Sequence, residues 1–142
     1  MSLRLNIRIG KAIRWKASPR DWTKLNFDGA SKGNPGESGI GAIIRDEQGN
    51  ILQGLFGGIG VATNNEVEIC ALEAGLCLCI RALENVIESY EIGHVYKEDN
   101  QVANYLGNLG VGGNDDLVYF CQASASEDIK GQCRKDCQRY QR

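Results

Sequence analysis

Alternating hydrophobic and polar residues mark three neighbouring segments as β-strands. Residues 23–28 alternate with period two, and residues 39–46 and 51–62 are rich in β-branched and apolar side chains. The glycine-containing turn signal at 47–50 separates the last two segments. Short turns between consecutive strands predict an antiparallel meander. A further alternating segment, residues 3–9, is a candidate additional strand.

The longest helical segment covers residues 63–84. Its start contains two possible capping boxes, Thr63 with Glu66 and Asn65 with Glu68. Apolar residues cover most of the circumference of this helix, which predicts that it is heavily buried.

The rest of the chain is less regular. Residues 85–96 are rich in β-branched and aromatic side chains and predict a strand, and residues 98–110 predict a short capped helix that ends on glycine. We therefore expect a basic N-terminal extension (1–21), one folded domain (22–110) and a polar C-terminal tail (111–142).

Charge is distributed unevenly along the 142 residues, a length that suits one domain. Residues 1–24 contain seven Lys or Arg against one Asp, whereas the net charge of the whole chain is -2. Such a basic arm either contacts phosphates or stays solvated. No apolar run is long enough to span a membrane, and the N-terminus lacks the apolar segment of a secretory signal. We expect an intracellular protein, cytoplasmic or nuclear, with no membrane partner.

The chain contains six cysteines. Three of them lie in the apolar helical segment, where a free cysteine behaves as a small hydrophobic residue. Cys133 and Cys137 are spaced so that one helix face could present two zinc ligands, but no second pair stands at zinc-site spacing. We expect free thiols, and a small zinc-binding interaction module remains an alternative function.

Two acidic residues lie where they could act together. Asp28 ends the first meander strand, and Glu68 lies near the start of the long helix. If the helix packs across the sheet, the two carboxylates converge and form a site for Mg²⁺, which supports phosphodiester hydrolysis. The structural alternatives are that Asp28 serves the turn at Gly29 and that Glu68 caps the helix.

Four blocks of sequence, in order, resemble the plant reverse-transcriptase-associated branch of the ribonuclease H family. They are WTKLNFDGASKGNPG (22–36), GIGAIIRDEQG (39–49), TNNEVEICALEAGL (63–76) and HVYKEDNQVANYL (94–106). The resemblance implies an α/β fold, a mixed β-sheet with flanking helices. It also implies two divalent metal ions held by four carboxylates that cut the RNA strand of an RNA/DNA hybrid.

The family roles transfer to this chain only at matching positions. Asp28 matches the first carboxylate and Glu68 the second, so both are the expected metal ligands. Asn64 and Asn65 match a polar pair near the minor groove of the hybrid, where 2′-hydroxyls identify RNA. The resemblance also assigns nucleic-acid binding to the turn residues Ser31, Lys32 and Gly33.

Two carboxylates of the family pattern are missing. Asn104 stands where the last helix should present an Asp, and Tyr90 falls where the third carboxylate belongs. The family has a strand, crossover helices and another strand in this region, but residues 85–96 have room for one strand only, because a parallel pair needs a crossover of about a dozen residues. We predict a truncated fold in which residues 85–96 form one strand parallel to the strand of Asp28. This strand either fills the slot beside the Asp28 strand, which we favour, or leaves that slot empty.

The chain is thus expected to be a ribonuclease H-like nucleic-acid domain with impaired hydrolysis. Weak binding of Mg²⁺ or Mn²⁺, an RNA/DNA hybrid or other nucleic acid as partner, and a monomeric state are expected. A catalytically inactive nucleic-acid-binding or structural remnant is the alternative that shares the same fold.

Overall fold

The structure is a computed structural model that describes residues 2–9, 22–46, 48–83, 87–95, 100–113 and 116–140. The described strands are β1 (Ser2–Ile9), β2 (Trp22–Ser31), β3 (Gly36–Arg45), β4 (Ile51–Ala62), β5 (Ile87–Val95) and β6 (Val118–Phe120). The described helices are α1 (Asn64–Leu83), α2 (Gln101–Gly110) and α3 (Glu127–Tyr140).

The strands form one sheet in the order β5-β1-β2-β3-β4-β6. β2, β3 and β4 are joined as the predicted antiparallel meander. Between β3 and β4 the Asp46 carboxylate accepts hydrogen bonds from the backbone N–H groups of Gln48 and Asn50, each at 2.9 Å, which holds the turn. The strand predicted at residues 3–9 is present as β1.

The position predicted for the strand in 85–96 is wrong. β5 runs in the same direction as β2, but it pairs with β1, and β1 pairs with β2. The slot beside β2 is therefore filled from the N-terminal segment. Antiparallel partners need no crossover helix, so β1 can pair on both sides although the crossover region is missing. Every strand pairing in the described residues is antiparallel, where a mixed sheet was expected.

Helices cover both faces of the sheet, so the predicted α/β class is confirmed. On one face α1 packs against β2 and β3 through a cluster that includes Leu25, Phe27, Val67 and Leu78. On the other face α2 and α3 pack against the sheet through a second cluster that includes Ile43, Val102, Leu106 and Phe120. Because alternate residues of a strand point to opposite faces, Phe27 faces α1 while its neighbour Asp28 faces α2.

Helix α1 is buried on one side only. Ile69 and Ile80 on its outer face are 64% and 58% exposed. The expectation of a heavily buried helix is therefore wrong for this face, because in the described part of the chain only the sheet covers α1.

The segments expected to flank the domain contribute to the sheet and the core. β1 comes from the N-terminal segment, and β6 pairs with β4 from the C-terminal one. Helix α3 buries Ile129 and Cys133 against the α2 face. The domain boundaries stay a prediction. None of the helices in the described residues is long and apolar enough to cross a membrane.

Candidate functional site

Asp28 lies near the end of β2 and is only 4% exposed. One carboxylate oxygen accepts a hydrogen bond from the backbone N–H of Gly29 at 2.9 Å. The other accepts a hydrogen bond from the side-chain amide of Asn104 at 3.2 Å. A carboxylate that is buried and bonded in this way is held in one orientation, as a ligand or catalytic group requires.

Glu68 reaches Asp28 because α1 passes very close to β2. A β-carbon built on Gly29 would lie 2.7 Å from the Val67 side chain and 2.8 Å from the Val67 carbonyl oxygen, so only glycine fits there. The residue after Val67 then places its carboxyl group within hydrogen-bonding reach of Asp28.

The pKa of Glu68 is raised to about 7. Partial burial is the main cause, and the hydrogen bond with Asp28 and the charge of Asp28 add to it. The Glu68 carboxyl group therefore binds a proton more readily than an ordinary glutamate does. The structure therefore brings Asp28 and Glu68 into one acidic pair.

The capping alternative for Glu68 is wrong. Thr63 and Glu66 form the reciprocal capping box: the Thr63 N–H donates to the Glu66 carboxylate at 2.9 Å, and the Glu66 N–H donates to the Thr63 hydroxyl at 3.2 Å. The helix start is satisfied by these residues, which leaves the Glu68 carboxyl group to face Asp28.

Asn104 reaches the acidic pair from the opposite face of the sheet. Helix α2 lies directly on β3, where a β-carbon on Gly41 would stand 2.5 Å from the Gly107 nitrogen. At the start of α2 the amide of Asn100 donates to the Phe27 carbonyl at 3.0 Å and fixes the helix to β2. This close packing brings the first turns of α2 to Asp28.

The amide of Asn104 turns its nitrogen toward Asp28. Its oxygen accepts a hydrogen bond at 3.2 Å from the side-chain amide of Asn108, which also donates at 2.9 Å to the Asn104 backbone carbonyl. Sequence reasoning missed Asn108, although the spacing of Asn100, Asn104 and Asn108 by four residues places them on one helix face.

The predicted nucleic-acid-binding residues lie along one edge beside the acidic pair, where Ser31 is half-buried and the others are exposed. The β2–β3 turn contains Ser31, Lys32 and Gly33, and the backbone N–H of Asn64 donates to the Asn34 side chain at 2.9 Å. The Ser31 hydroxyl also lies 3.4 Å from the Ala62 carbonyl oxygen just before α1. These bonds join the turn to the start of α1, where Asn64 and Asn65 are both exposed.

No cluster of three or more His, Cys, Asp or Glu side chains suitable for a metal ion occurs within the described residues. The acidic pair offers carboxylate oxygens, which suit one oxygen-preferring cation that keeps several waters. The third side chain, Asn104, presents nitrogen rather than oxygen. The donor set therefore fits one divalent ion and does not fit two. The side chains of β5, where Tyr90 lies, fall outside the described side chains.

The segment that contains Asp28 and Glu68 is similar in sequence to known proteins. Residues 26–87, which include Asp28 and Glu68, match the family model described as reverse transcriptase-like. The chain is 41% identical over 71 residues to a ribonuclease H of Bordetella avium, covering 50% of this chain and 45% of that protein. It is 35% identical over 69 residues to a ribonuclease H-type protein of Arabidopsis thaliana, covering 49% of this chain and 11% of that one.

A solved structure is similar as well. The ribonuclease H1 named LC11, isolated from compost, matches with a TM-score of 0.50 and 26% identity over 61% of this chain and 93% of that chain. The present chain spans less than half the length of the two curated relatives above.

Proposed function

We propose that this chain, which contains a ribonuclease H-like domain, binds RNA/DNA hybrids and retains only a remnant of metal-dependent hydrolysis of the RNA strand. The observation that supports this proposal best is the contact between Asp28 and Glu68 at the junction of β2 and α1. That contact lies beside an exposed polar edge and within the segment that matches the family model. One chain supplies both carboxylates, so the site needs a single copy only.

Asp28 and Glu68 are the residues that would hold a divalent cation, Mg²⁺ or Mn²⁺. The bound cation would supply charge stabilisation at the phosphodiester that is cut. The protein contributes orientation: the Gly29 N–H fixes one oxygen of Asp28, and the rigid start of α1 fixes Glu68. With two carboxylates, cation binding is expected to be weak.

The exposed edge is proposed to bind the nucleic acid. Asn64 and Asn65 can donate and accept hydrogen bonds to 2′-hydroxyls, the groups that distinguish RNA from DNA. Lys32 adds a positive charge for the phosphate backbone. Because the Asn34–Asn64 hydrogen bond joins the turn to α1, the edge is ordered before the hybrid binds. We place this activity in the cytoplasm or nucleus.

Catalysis is proposed to be impaired because position 104 lacks a carboxylate and the third carboxylate has no match. Losing a ligand from each of two ions removes several kcal/mol of transition-state stabilisation, and about 1.4 kcal/mol is a factor of ten in rate. We expect hybrid cleavage at least about a thousandfold below that of an intact relative, a deficit of roughly 4 kcal/mol.

The test is a cleavage assay on an RNA/DNA hybrid with Mg²⁺ or Mn²⁺, with Asp28→Asn as the control for contaminating nuclease. Weak cleavage that Asp28→Asn abolishes supports the proposal. Asn104→Asp alone should not restore family-level rates. Full recovery in that variant would mean that another acid, such as Glu88, fills the third position. Hybrid binding by fluorescence anisotropy is measured in parallel.

The second candidate is a nucleic-acid-binding remnant with no turnover, which the uncharged Asn104 beside Asp28 favours. Hybrid binding without cleavage above the Asp28→Asn background would select it. The zinc-module alternative predicts stoichiometric zinc in the purified protein. Cys133 is buried in the core, a position that suits packing rather than a zinc module.

A further inference from the structure

Helix α2 presents three asparagines at four-residue spacing, and the function proposed above uses only one of them. Asn100 fixes the helix to β2, and Asn104 contacts Asp28. Asn108 is exposed and touches neither Asp28 nor Glu68 in any hydrogen bond of the described residues. Its side chain is nevertheless directed at Asn104 through two hydrogen bonds.

The chemistry of these partners fixes which end of each amide faces which neighbour. A carboxylate accepts hydrogen bonds only, so the group that Asn104 presents to Asp28 is its NH₂. A backbone carbonyl also accepts only, so the group that Asn108 presents to the Asn104 carbonyl is its NH₂. The same NH₂ reaches the side-chain oxygen of Asn104 and holds that oxygen away from Asp28.

We infer that Asn108 is a positioning residue that locks the Asn104 amide as a hydrogen-bond donor to Asp28. Asn104 then cannot offer its oxygen to a cation held by Asp28. To do so its amide would have to turn over, which breaks the bond to Asp28 and the bond from Asn108. Position 104 thus acts as a neutral partner of Asp28, and the site takes one cation. The claim that the site binds a cation rests on the proposed function, whereas the orientation of the Asn104 amide does not.

The variant Asn108→Asp removes the lock. A carboxylate at 108 cannot donate to the Asn104 oxygen, so that oxygen is no longer held and can turn toward a cation bound at Asp28. Because Asn108 is exposed, the fold should tolerate the change. A new negative charge alone also attracts cations, so Asn108→Asp is compared with Asn108→Asp in an Asn104→Ala background, which has no amide to turn.

Two readouts decide the outcome. The ¹⁵N–¹H side-chain resonances of Asn104, recorded without metal or nucleic acid, should shift in Asn108→Asp and also in Asn108→Ala. Mn²⁺ affinity is followed by electron paramagnetic resonance. The substitution Asn108→Asp should raise this affinity about three- to tenfold more when Asn104 is present than in the Asn104→Ala background, which is the effect of one gained polar contact.

Unchanged Asn104 resonances in both Asn108 variants would overturn the inference, as would an equal gain in Mn²⁺ affinity in the two backgrounds. Shifted resonances in a protein that binds no Mn²⁺ would support the lock while removing the metal-dependent part of the proposed function. The two proposals can therefore fail separately.

Discussion

The two sides of the candidate site differ in the side chain that each brings to Asp28. On the β2–α1 side, Asp28 and Glu68 are in contact, and Gly29 allows the helix to approach the strand. On the α2 side, the close approach at Gly41 is even tighter, but the residue that reaches Asp28 is a neutral asparagine. Tight packing of a helix therefore does not by itself bring a charged side chain to Asp28. This difference predicts a site in which packing holds both helices close to the sheet but only the β2–α1 side supplies negative charge.

The largest expected effect tests whether packing really holds the α2 side in place. Gly41→Ala puts a β-carbon 2.4 Å from the Leu106 β-carbon and 2.5 Å from the Gly107 nitrogen, so α2 must move. We expect unfolding in urea to show a loss of about 3 kcal/mol, at the upper end for overpacking.

Gly131→Ala in α3 is the matched control, because a β-carbon there meets only the Arg134 guanidinium at 3.8 Å. It should be neutral or stabilising by up to about 1 kcal/mol, since alanine favours helix. If Gly41→Ala and Gly131→Ala behave alike, α2 does not lie on β3 as described.

The corresponding change on the β2–α1 side is Gly29→Ala. The new β-carbon meets the Val67 backbone and side chain below 3 Å, so the start of α1 must shift away from Asp28. We expect a loss of about 1–2 kcal/mol in urea unfolding. The pKa of Glu68 should fall toward its ordinary value, because it loses both burial and its neighbour. Carboxyl ¹³C NMR titration measures this; a Glu68 pKa that stays near 7 would show that the contact with Asp28 does not depend on Gly29.

The smallest effect concerns the pH dependence of stability. The pKa of Glu68 is about 7 in the folded protein and 4.5 without its environment, so between these values the folded state holds the extra proton. The stability that the extra proton on Glu68 contributes is therefore lost as pH rises from about 4.5 to 7. Glu68→Gln should remove this loss and be more stable than wild type at pH 8 by about 1 kcal/mol, after allowing for solvent exposure.

Glu73→Gln, on the exposed side of the same helix, is the matched control for removing one negative charge. Its stability should stay within about 0.5 kcal/mol of wild type. A wild-type stability that does not fall over this pH range would mean that the pKa of Glu68 is not raised in the folded protein. Thermal or urea unfolding at several pH values, without divalent cations, provides the measurement.

Elements with strong local signals were predictable from the sequence. The meander and α1 follow from periodicity and from the Thr63–Glu66 capping box, which depend on neighbouring residues only. The slot beside β2 was not predictable in this way, because two segments with similar alternation, residues 3–9 and 87–95, compete for it over long sequence distances. Helix α3 was missed since its buried residues, Ile129 and Cys133, are separated by charged and polar side chains that hide the period.

The site shows the same division. Asp28 and Glu68 could be named in advance because a strand end and a helix start are local features, and the family resemblance marked both. The direction of the Asn104 amide depends on Asn108 and on Asp28 from another element, so it becomes visible only in three dimensions. The roles of Asn64, Asn65 and the β2–β3 turn remain predictions.

The count of divalent ions per chain tests the central claim most directly. Mn²⁺ titration followed by electron paramagnetic resonance should show one weakly bound ion in the wild type, and Asp28→Asn and Glu68→Gln should each abolish it. Two ions per chain, or one ion that survives both substitutions, would contradict the account in which only the β2–α1 side of the site supplies carboxylates.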